Sequence, residues 1–319
     1  MVEERKRHIS GYRATTERCC YELATSFAAY LTLLCAHSAF PAVRGPVFWF
    51  LAPFIHLRFF MIYHDLGHGS FCPNLKANLW LHRIFSVLVM TPSRWRESHR
   101  RHHLYFGNTE NPIGFQWNDT IFMTKDQLEK LRPMILQKFV EVMRYPLVFF
   151  PLAAFYEWYI RHRMIVLDPA SGYTTQDNMI NTLLTLSYAA VVWMIRGPQL
   201  VIDMVLSSYF ALIYGLFLFH TQHAFEDGYR RSNKDWDFTE AAFEGSSCTL
   251  FPWWLKWTTM GIGYHHIHHY DTRVPGYLLQ QCHEEGKPEY WRNTTILNMS
   301  DFWKALWTTV YDEKTGKFV

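Results

Sequence analysis

Long apolar runs alternate along the chain with long stretches that are polar and rich in aromatic residues. From Leu23 to Val43 no Asp, Glu, Lys or Arg occurs, and an apolar helix of about 20 residues crosses a bilayer. Gly45 to Tyr63 is a second such run, weakened by His56 and Arg58, with Pro41, Gly45 and Pro46 marking a tight turn between the two. Met179 to Ile195 and Gln199 to Phe219 form a second pair, separated by Arg196-Gly197-Pro198. Asp203 falls near the outer end of the fourth run, where a bilayer tolerates a carboxylate better than at its centre. The pattern predicts four spanning helices in two hairpins, at 23–43, 45–63, 179–195 and 199–219. Leu79 to Met90 and Tyr145 to Tyr156 are apolar but too short to span, and read as helices lying at the interface or partly inserted.

Orientation follows from Lys and Arg. The two inter-helix turns hold only Arg44 and Arg196, whereas the N-terminus and the segments 64–178 and 220–319 hold nearly all the rest. These three regions, and both termini, are expected in the cytosol. The expected fold is an all-α membrane protein, one domain over 1–319, whose two long segments form a helical cap at the cytosolic ends of the helices. The N-terminus, MVEERKRHISGYR, lacks a signal-peptide cleavage pattern and is expected to be retained.

Composition supports membrane residence: 49% of residues are hydrophobic and 18% charged, against about 25% charged in an average soluble domain. A net charge of +3 without an extended basic tract argues against nucleic acid as a partner. The six cysteines show no CxxC spacing and read as reduced thiols.

Histidine changes the picture. There are 17, and eleven fall in four groups: His64 and His68; His99, His102 and His103; His220 and His223; His265, His266, His268 and His269. Residues four apart share one helix face, so His64 and His68 can reach one metal. Both HxxHH groups add a neighbour splayed far enough to reach a second ion. In the expected topology all four groups lie on the same side of the membrane. Imidazole suits Fe, Zn, Cu and Ni, and a structural zinc takes only four ligands, so nine or more clustered histidines point to two ions. No HExxH motif is present, and paired Glu-x-x-His motifs are not evident at these groups. A histidine-rich two-metal site on a membrane protein indicates iron and O2 chemistry. Isolated histidines (His37, His56, His82, His162, His283) read as packed or solvated side chains.

At these residues the sequence resembles the membrane fatty acid desaturase family, in its acyl-lipid, omega-6-like branch with three histidine boxes. The matching stretches are HDLGHGSF at 64–71, SHRRHH at 98–103, and FHTQHAFEDGY, DWDFTEAAFEGSS and GIGYHHIHHYDTRVPGY within 219–277. The resemblance implies metal ligands at His64, His68, His99, His102, His103, His223, His265, His268 and His269, two iron ions, O2 as co-substrate and a lipid-linked acyl chain as substrate. The product would be a double bond formed with reduction of O2 to water. His220 and His266 are extra, and with Asp65, Glu97, Glu110, Glu226 and Asp227 are candidates to orient the imidazoles; Glu226 belongs to the family-like stretch.

Phe71, Trp95, Trp117, Phe225 and Trp236 are candidates to line an acyl tunnel, although packing or interfacial anchoring suits each of them as well. No His-Pro-Gly-Gly haem stretch occurs, so electrons are expected from a separate b-type cytochrome, or a ferredoxin with its reductase. Arg100, Arg101, Arg161, Arg163, Arg230 and Arg231 suit an acidic donor or lipid phosphates equally. The sequons at Asn118, Asn293 and Asn298 are expected to be unmodified. The resemblance places a eukaryotic form in the endoplasmic reticulum and a bacterial one in the plasma membrane. The alternatives on the same scaffold are an alkane, sterol or carotenoid hydroxylase and a sphingolipid desaturase. From another class, a zinc-binding receptor or transporter would place its ligands near the bilayer midplane.

Overall fold

A computed structural model of the chain describes residues 1–92, 94–110, 123–130, 134, 138, 141, 145–163, 175–308, 310–312 and 314–318. Four of its helices are long and apolar enough to cross a membrane: α2 (Thr16–Ala39), α3 (Pro46–His68), α8 (Thr175–Arg196) and α9 (Pro198–Thr221). They form two hairpins. The first turns through Pro41–Val43 and Gly45, and the second through Gly197; both glycines have positive φ, of 63° and 81°, which a side chain disfavours. The mutual packing of α3 and α9 forms the centre, while α2 lies against α3, and α8 against α9 and α4 (Leu75–Leu88). Outward-facing Leu183, Leu186, Trp193 and Met194 leave α8 largely exposed, as expected of a helix whose outer face meets lipid.

The helices run further than the apolar runs indicated. Thr15 caps α2 by accepting from the Arg18 amide at 3.2 Å, and α3 continues to His68, ending only where Gly69 takes the left-handed conformation. His64 and His68 therefore stand on the last turns of a candidate spanning helix, not in the cap that follows it. The apolar pattern stops at the first polar side chain, whereas the backbone stays helical until a residue breaks it.

Arg58, which weakened the second run, is buried and satisfied. It ion-pairs with Glu22 of α2, donates to Ser26 Oγ at 3.0 Å and donates to the Trp257 carbonyl at 2.7 Å. A buried cation persists where such partners exist.

The short apolar segments are helices as expected. On α4, Leu75, Leu79, Trp80 and Ile84 are exposed while Asn78, His82 and Phe85 are buried. α7 (Pro146–Phe155) presses Phe150 and Ala154 into a cluster with Leu212 and Ile213 of α9, and continues as a π-helical stretch, Tyr156–Arg161.

The remaining elements gather at the end of the bundle where α3 and α9 finish. They are α1 (Val2–Ser10), α5 (Trp95–Tyr105), α6 (Lys125–Glu129), α10 (Phe238–Glu244), α11 (Trp253–Thr258), α12 (His265–Tyr270), α13 (Gly276–Glu284) and α14 (Met299–Ala305). Two small sheets tie distant segments together. β2 (Cys248–Thr249) pairs in parallel with β3 (Ile296–Leu297), and β4 (Val310–Asp312) joins β1 (Met123–Thr124) to β5 (Lys317–Phe318). α1 docks on the C-terminal segment through Arg5 to the Tyr290 carbonyl (3.0 Å) and His8 to the Cys282 carbonyl (2.8 Å).

Candidate metal centre

Three helices and one loop bring nine imidazoles together. His64, His68, His99, His103 and His268 form one group and His102, His223, His265 and His269 a second; within each group one ring nitrogen per residue lies within 4.8 Å of the others. α3 supplies His64 and His68, the turn after α9 supplies His223, and α5 and α12 contribute to both groups. Their HxxHH spacings are used in opposite senses. The i, i+4 pair of α5 (His99, His103) joins the first group and its third histidine, His102, the second. The i, i+4 pair of α12 (His265, His269) joins the second group and His268 the first. The groups are adjacent, with the His103 and His269 ring centroids 4.3 Å apart.

The Nε2 atoms converge. His99 Nε2 lies 2.8 Å from His64 Nε2 and 3.0 Å from His103 Nε2, which is itself 3.1 Å from His268 Nε2. His223 Nε2 lies 3.1 Å from His102 Nε2 and 3.0 Å from His265 Nε2, and His102 Nε2 also lies 3.2 Å from His269 Nε2. Hydrogen bonding does not account for this. A ring nitrogen has one in-plane position, occupied by either a proton or a lone pair, so it cannot serve two nitrogen neighbours at once. A cation among the lone pairs does account for it. Metal–imidazole bonds of about 2.0–2.1 Å place nitrogens at right angles about 2.9 Å apart and at the tetrahedral angle about 3.4 Å apart. The observed spacings of 2.8–3.2 Å fall in the range of nitrogens that share one metal ion. His68 Nε2 is buried without a protein partner, as a ligand atom would be.

Burial holds His99, His103, His223, His265, His268 and His269 well below the ordinary imidazole value, with neighbouring rings adding to the effect, which keeps these six neutral and able to bind. It lowers His102 to about 3.

Of the candidate orienting residues, Asp65 contacts a ring of the cluster. Its Oδ1 meets His64 Nδ1 at 2.9 Å and its Oδ2 accepts from the Gly276 amide at 2.6 Å, so His64 presents Nε2 to the cluster. Gly276 permits this approach: a Cβ there would stand 3.1 Å from Asp65 Oδ2 and 2.7 Å from the Met260 carbonyl. The corresponding role at His223 falls to the Gly245 carbonyl, 3.3 Å from Nδ1, a backbone group that no side-chain motif reveals.

The other candidates point elsewhere. Glu97 pairs with Arg100 and Arg101. Glu110 accepts from the Asn233 amide at 2.9 Å. Glu226 and Asp227 are exposed, because the chain turns outward after His223 and places Asp227 at φ 62°. His220 bonds the Ala305 carbonyl at 3.0 Å. His266 faces away from the nine, with its Nε2 3.1 Å from His283 Nδ1 and Cys248 nearby. That single nitrogen pair is a satisfied hydrogen bond, unlike the crowded Nε2 atoms.

A cavity of about 580 Å³ reaches the cluster at His64, His99, His102 and His265 and extends between α3, α7 and α9. Trp95 lines it, stacked on His99 with centroids 4.5 Å apart. Phe71, Phe225 and Trp236 do not: Phe71 packs edge-on against Tyr277, Phe225 is buried elsewhere, and Trp236 donates to the Phe106 carbonyl. Trp117 lies outside the described residues, as does Asn118. Part of the lining comes from apolar residues of the spanning helices, among them Phe60, Leu212 and Gly215. Their sequence pattern is the same whether they face lipid or a cavity.

Two of the basic residues are also internal. Arg163 donates to Thr182 Oγ1 (2.8 Å) and the Met90 carbonyl (2.8 Å), and Arg230 to the carbonyls of Gly228 (2.8 Å) and His223 (2.7 Å). Asn298 caps α14 and Asn293 donates to Glu244.

A profile of the family described as "Fatty acid desaturase" matches residues 42–296. The "Fatty acid desaturase" of Bacillus subtilis (strain 168) is 30% identical over 301 residues, covering 92% of this chain and 80% of that protein. The "sn-1 acyl-lipid omega-3 desaturase (ferredoxin)" of Synechocystis sp. is 25% identical, with the same coverage of 92% and 80%. The chloroplastic omega-3 fatty acid desaturase of Glycine max is 26% identical over 82% of this chain, which spans 57% of that protein's length. With its histidine boxes assembled at the end of four apolar helices, the chain belongs to the fatty acid desaturase family.

Proposed function

We propose that this oxidoreductase of lipid metabolism inserts a cis double bond into a lipid-linked acyl chain, using O2 at two irons held by the nine histidines. The observation that carries this reading is the convergence of two sets of neutral Nε2 atoms at one end of a long apolar cavity. Two irons held there would supply, with O2, the oxidising power to remove hydrogen from two adjacent CH2 groups. The balance is two hydrogens from the chain, two electrons and two protons from the donor side, and one O2 leaving as two waters.

The protein's own residues position and shield this chemistry. His64, His68, His99, His103 and His268 would hold one iron, and His102, His223, His265 and His269 the other. Asp65 fixes the His64 ring and places one negative charge beside an otherwise all-neutral ligand set. Trp95 and Phe219, against His99 and His102, wall off water where the acyl carbons lie. Leu152, Phe155 and Tyr156 line the cavity and are also exposed, so its mouth lies among side chains suited to lipid.

The Lys and Arg distribution supports a cytosolic cap and cytosolic termini. The likeness to the ferredoxin-dependent acyl-lipid desaturase of Synechocystis sp. supports a ferredoxin-type donor and a glycerolipid-linked chain. Arg100 and Arg231, which are exposed, remain suited to an acidic donor.

Expression in a yeast with a simple fatty acid profile tests the reading. New double bonds located by mass spectrometry and about two irons per purified chain are expected. Hydroxylated acids, or no acyl product across several supplied chain lengths, would overturn it.

A further inference from the structure

Among the described residues, three sets of polar side chains within the candidate spanning helices and away from the nine imidazoles centre on a buried Asp, Arg or His, and two are closed on themselves. Asp203 is surrounded by His37, Gly45, Trp49 and Gln199 at the turn of the first hairpin. Arg58 is surrounded by Glu22, Ser26 and the Trp257 carbonyl. The third set is His56 of α3 and Ser207 of α9, which share a hydrogen bond of 2.7 Å between Nδ1 and Oγ and are both buried. Unlike His37 and Arg58, His56 lines the cavity. A polar residue kept inside a membrane helix is costly and marks a substrate path.

The position of the pair along the cavity is informative. On α3 the lining comprises His56, Phe60, Met61 and His64, and on α9 it begins at Ser208 and continues through Ala211, Leu212 and Gly215. His56 and Ser208 thus mark the end furthest along the helices from the imidazole cluster, and the side chains between are apolar. The remaining polar lining includes Ser98 of α5, Glu157 of the π-helical stretch, His162 just after it, and His220 and Gln222 at the end of α9. An acyl lipid keeps its head group with such polar residues, so the methyl end is the part that reaches His56.

We infer that the His56–Ser207 pair, with Ser208 beside it, is the end-stop of the acyl site and limits how many carbons fit between the new double bond and the methyl terminus. The inference rests on the cavity being the acyl site proposed above. His56 and His64 are eight residues apart on one helix, about 12 Å at 1.5 Å per residue. An extended chain advances about 1.25 Å per carbon, from a bond of about 1.52 Å and an angle near 111°, so the inner arm holds about ten carbons. A longer arm has to displace an imidazole from a buried hydrogen bond and leave polar atoms against a methyl group, which is unfavourable.

The test compares the wild type with His56→Ala and Ser208→Leu in a host that makes no double bonds of its own. The host is supplied with a graded series of saturated chain lengths, and double bonds are located by mass spectrometry. In the wild type the count from double bond to methyl end should stop at about ten carbons. His56→Ala should move that limit outward by about two to three carbons, and Ser208→Leu should draw it inward, at about 1.25 Å per carbon. An unmoved limit in a variant that desaturates, or wild-type products well beyond the limit, would overturn the inference. If one variant fails to accumulate, the other and the wild-type limit decide. Absence of any double bond from the wild type would instead tell against the proposed function itself.

Discussion

The two ends of the helix bundle both gather polar side chains, and they do so in opposite ways. At the outer turn, each oxygen of Asp203 meets two donor groups: His37 Nε2 (2.8 Å) and the Gly45 amide (3.2 Å) on Oδ2, and Trp49 Nε1 (2.8 Å) and Gln199 Nε2 (3.0 Å) on Oδ1. Donors and acceptors match, so the cluster is complete as protein. At the other end, nine imidazoles crowd one ring nitrogen each toward the others, and the buried Nε2 of His68 has no partner in the protein. The surplus of lone pairs needs something outside the polypeptide. Buried polar groups that pair off stabilise a fold, whereas those that converge without pairing prepare a site.

The comparison can be broken most sharply at His268. His268→Ala should abolish desaturation, by at least about 100-fold, and reduce bound iron, read by elemental analysis of the purified chain. Full activity after that change would sink the ligand assignment.

The effect of pH separates the two ends next. In the metal-free chain the buried imidazoles stay neutral below their ordinary value of about 6.5, while in the unfolded chain they take up protons. The unfolded state then binds more protons, so stability is fully present above about pH 6.5 and declines as pH falls below it. Each ring contributes up to about 1.4 kcal/mol per pH unit. The denaturation midpoint of the metal-free protein in detergent should fall between about pH 7 and pH 5.5, and iron should protect against the fall by occupying the same nitrogens. A flat midpoint would contradict the neutral, desolvated state of the cluster.

Asp203→Ala should cost about 3 kcal/mol of stability, because it leaves the buried His37 and the half-buried Trp49 and Gly45 donors without an acceptor. Iron per folded molecule and the positions of double bonds should stay unchanged. Loss of iron there would erase the distinction between the two ends.

Smaller still is Asp65→Asn, which keeps size but removes the charge on His64 Nδ1. It should weaken metal retention by about 10–100-fold, measured by chelator competition. Glu226→Ala, at an exposed position, should leave stability within about 0.5 kcal/mol and metal retention as it was.

Much of this site was legible in the residues. Metal-binding chemistry needs particular side chains at fixed spacing, and i, i+4 periodicity survives into any helix, so HDLGH and the two HxxHH groups marked the helix faces on which the imidazoles now cluster. The four spanning helices were legible for a similar reason, since a bilayer demands long uninterrupted apolar runs. The orienting residues were less so. Asp65 and Glu226 are both acidic and both near a ligand in sequence, yet one meets a ring and the other faces solvent. The difference lies in the direction of the backbone after His223 and in the close approach of Gly276 to Asp65.

By itself, then, the sequence determined the membrane-spanning pattern, the histidine inventory and the family, because each depends on local composition and spacing. Tertiary structure decided the rest: how α5 and α12 divide their histidines between two groups, that His266 turns to His283, that Arg163 and Arg230 are held inside, and that His56 lines a cavity while His37 does not. Those outcomes depend on which faces of distant segments meet. An apolar or polar residue looks the same in a sequence whichever neighbour it will touch.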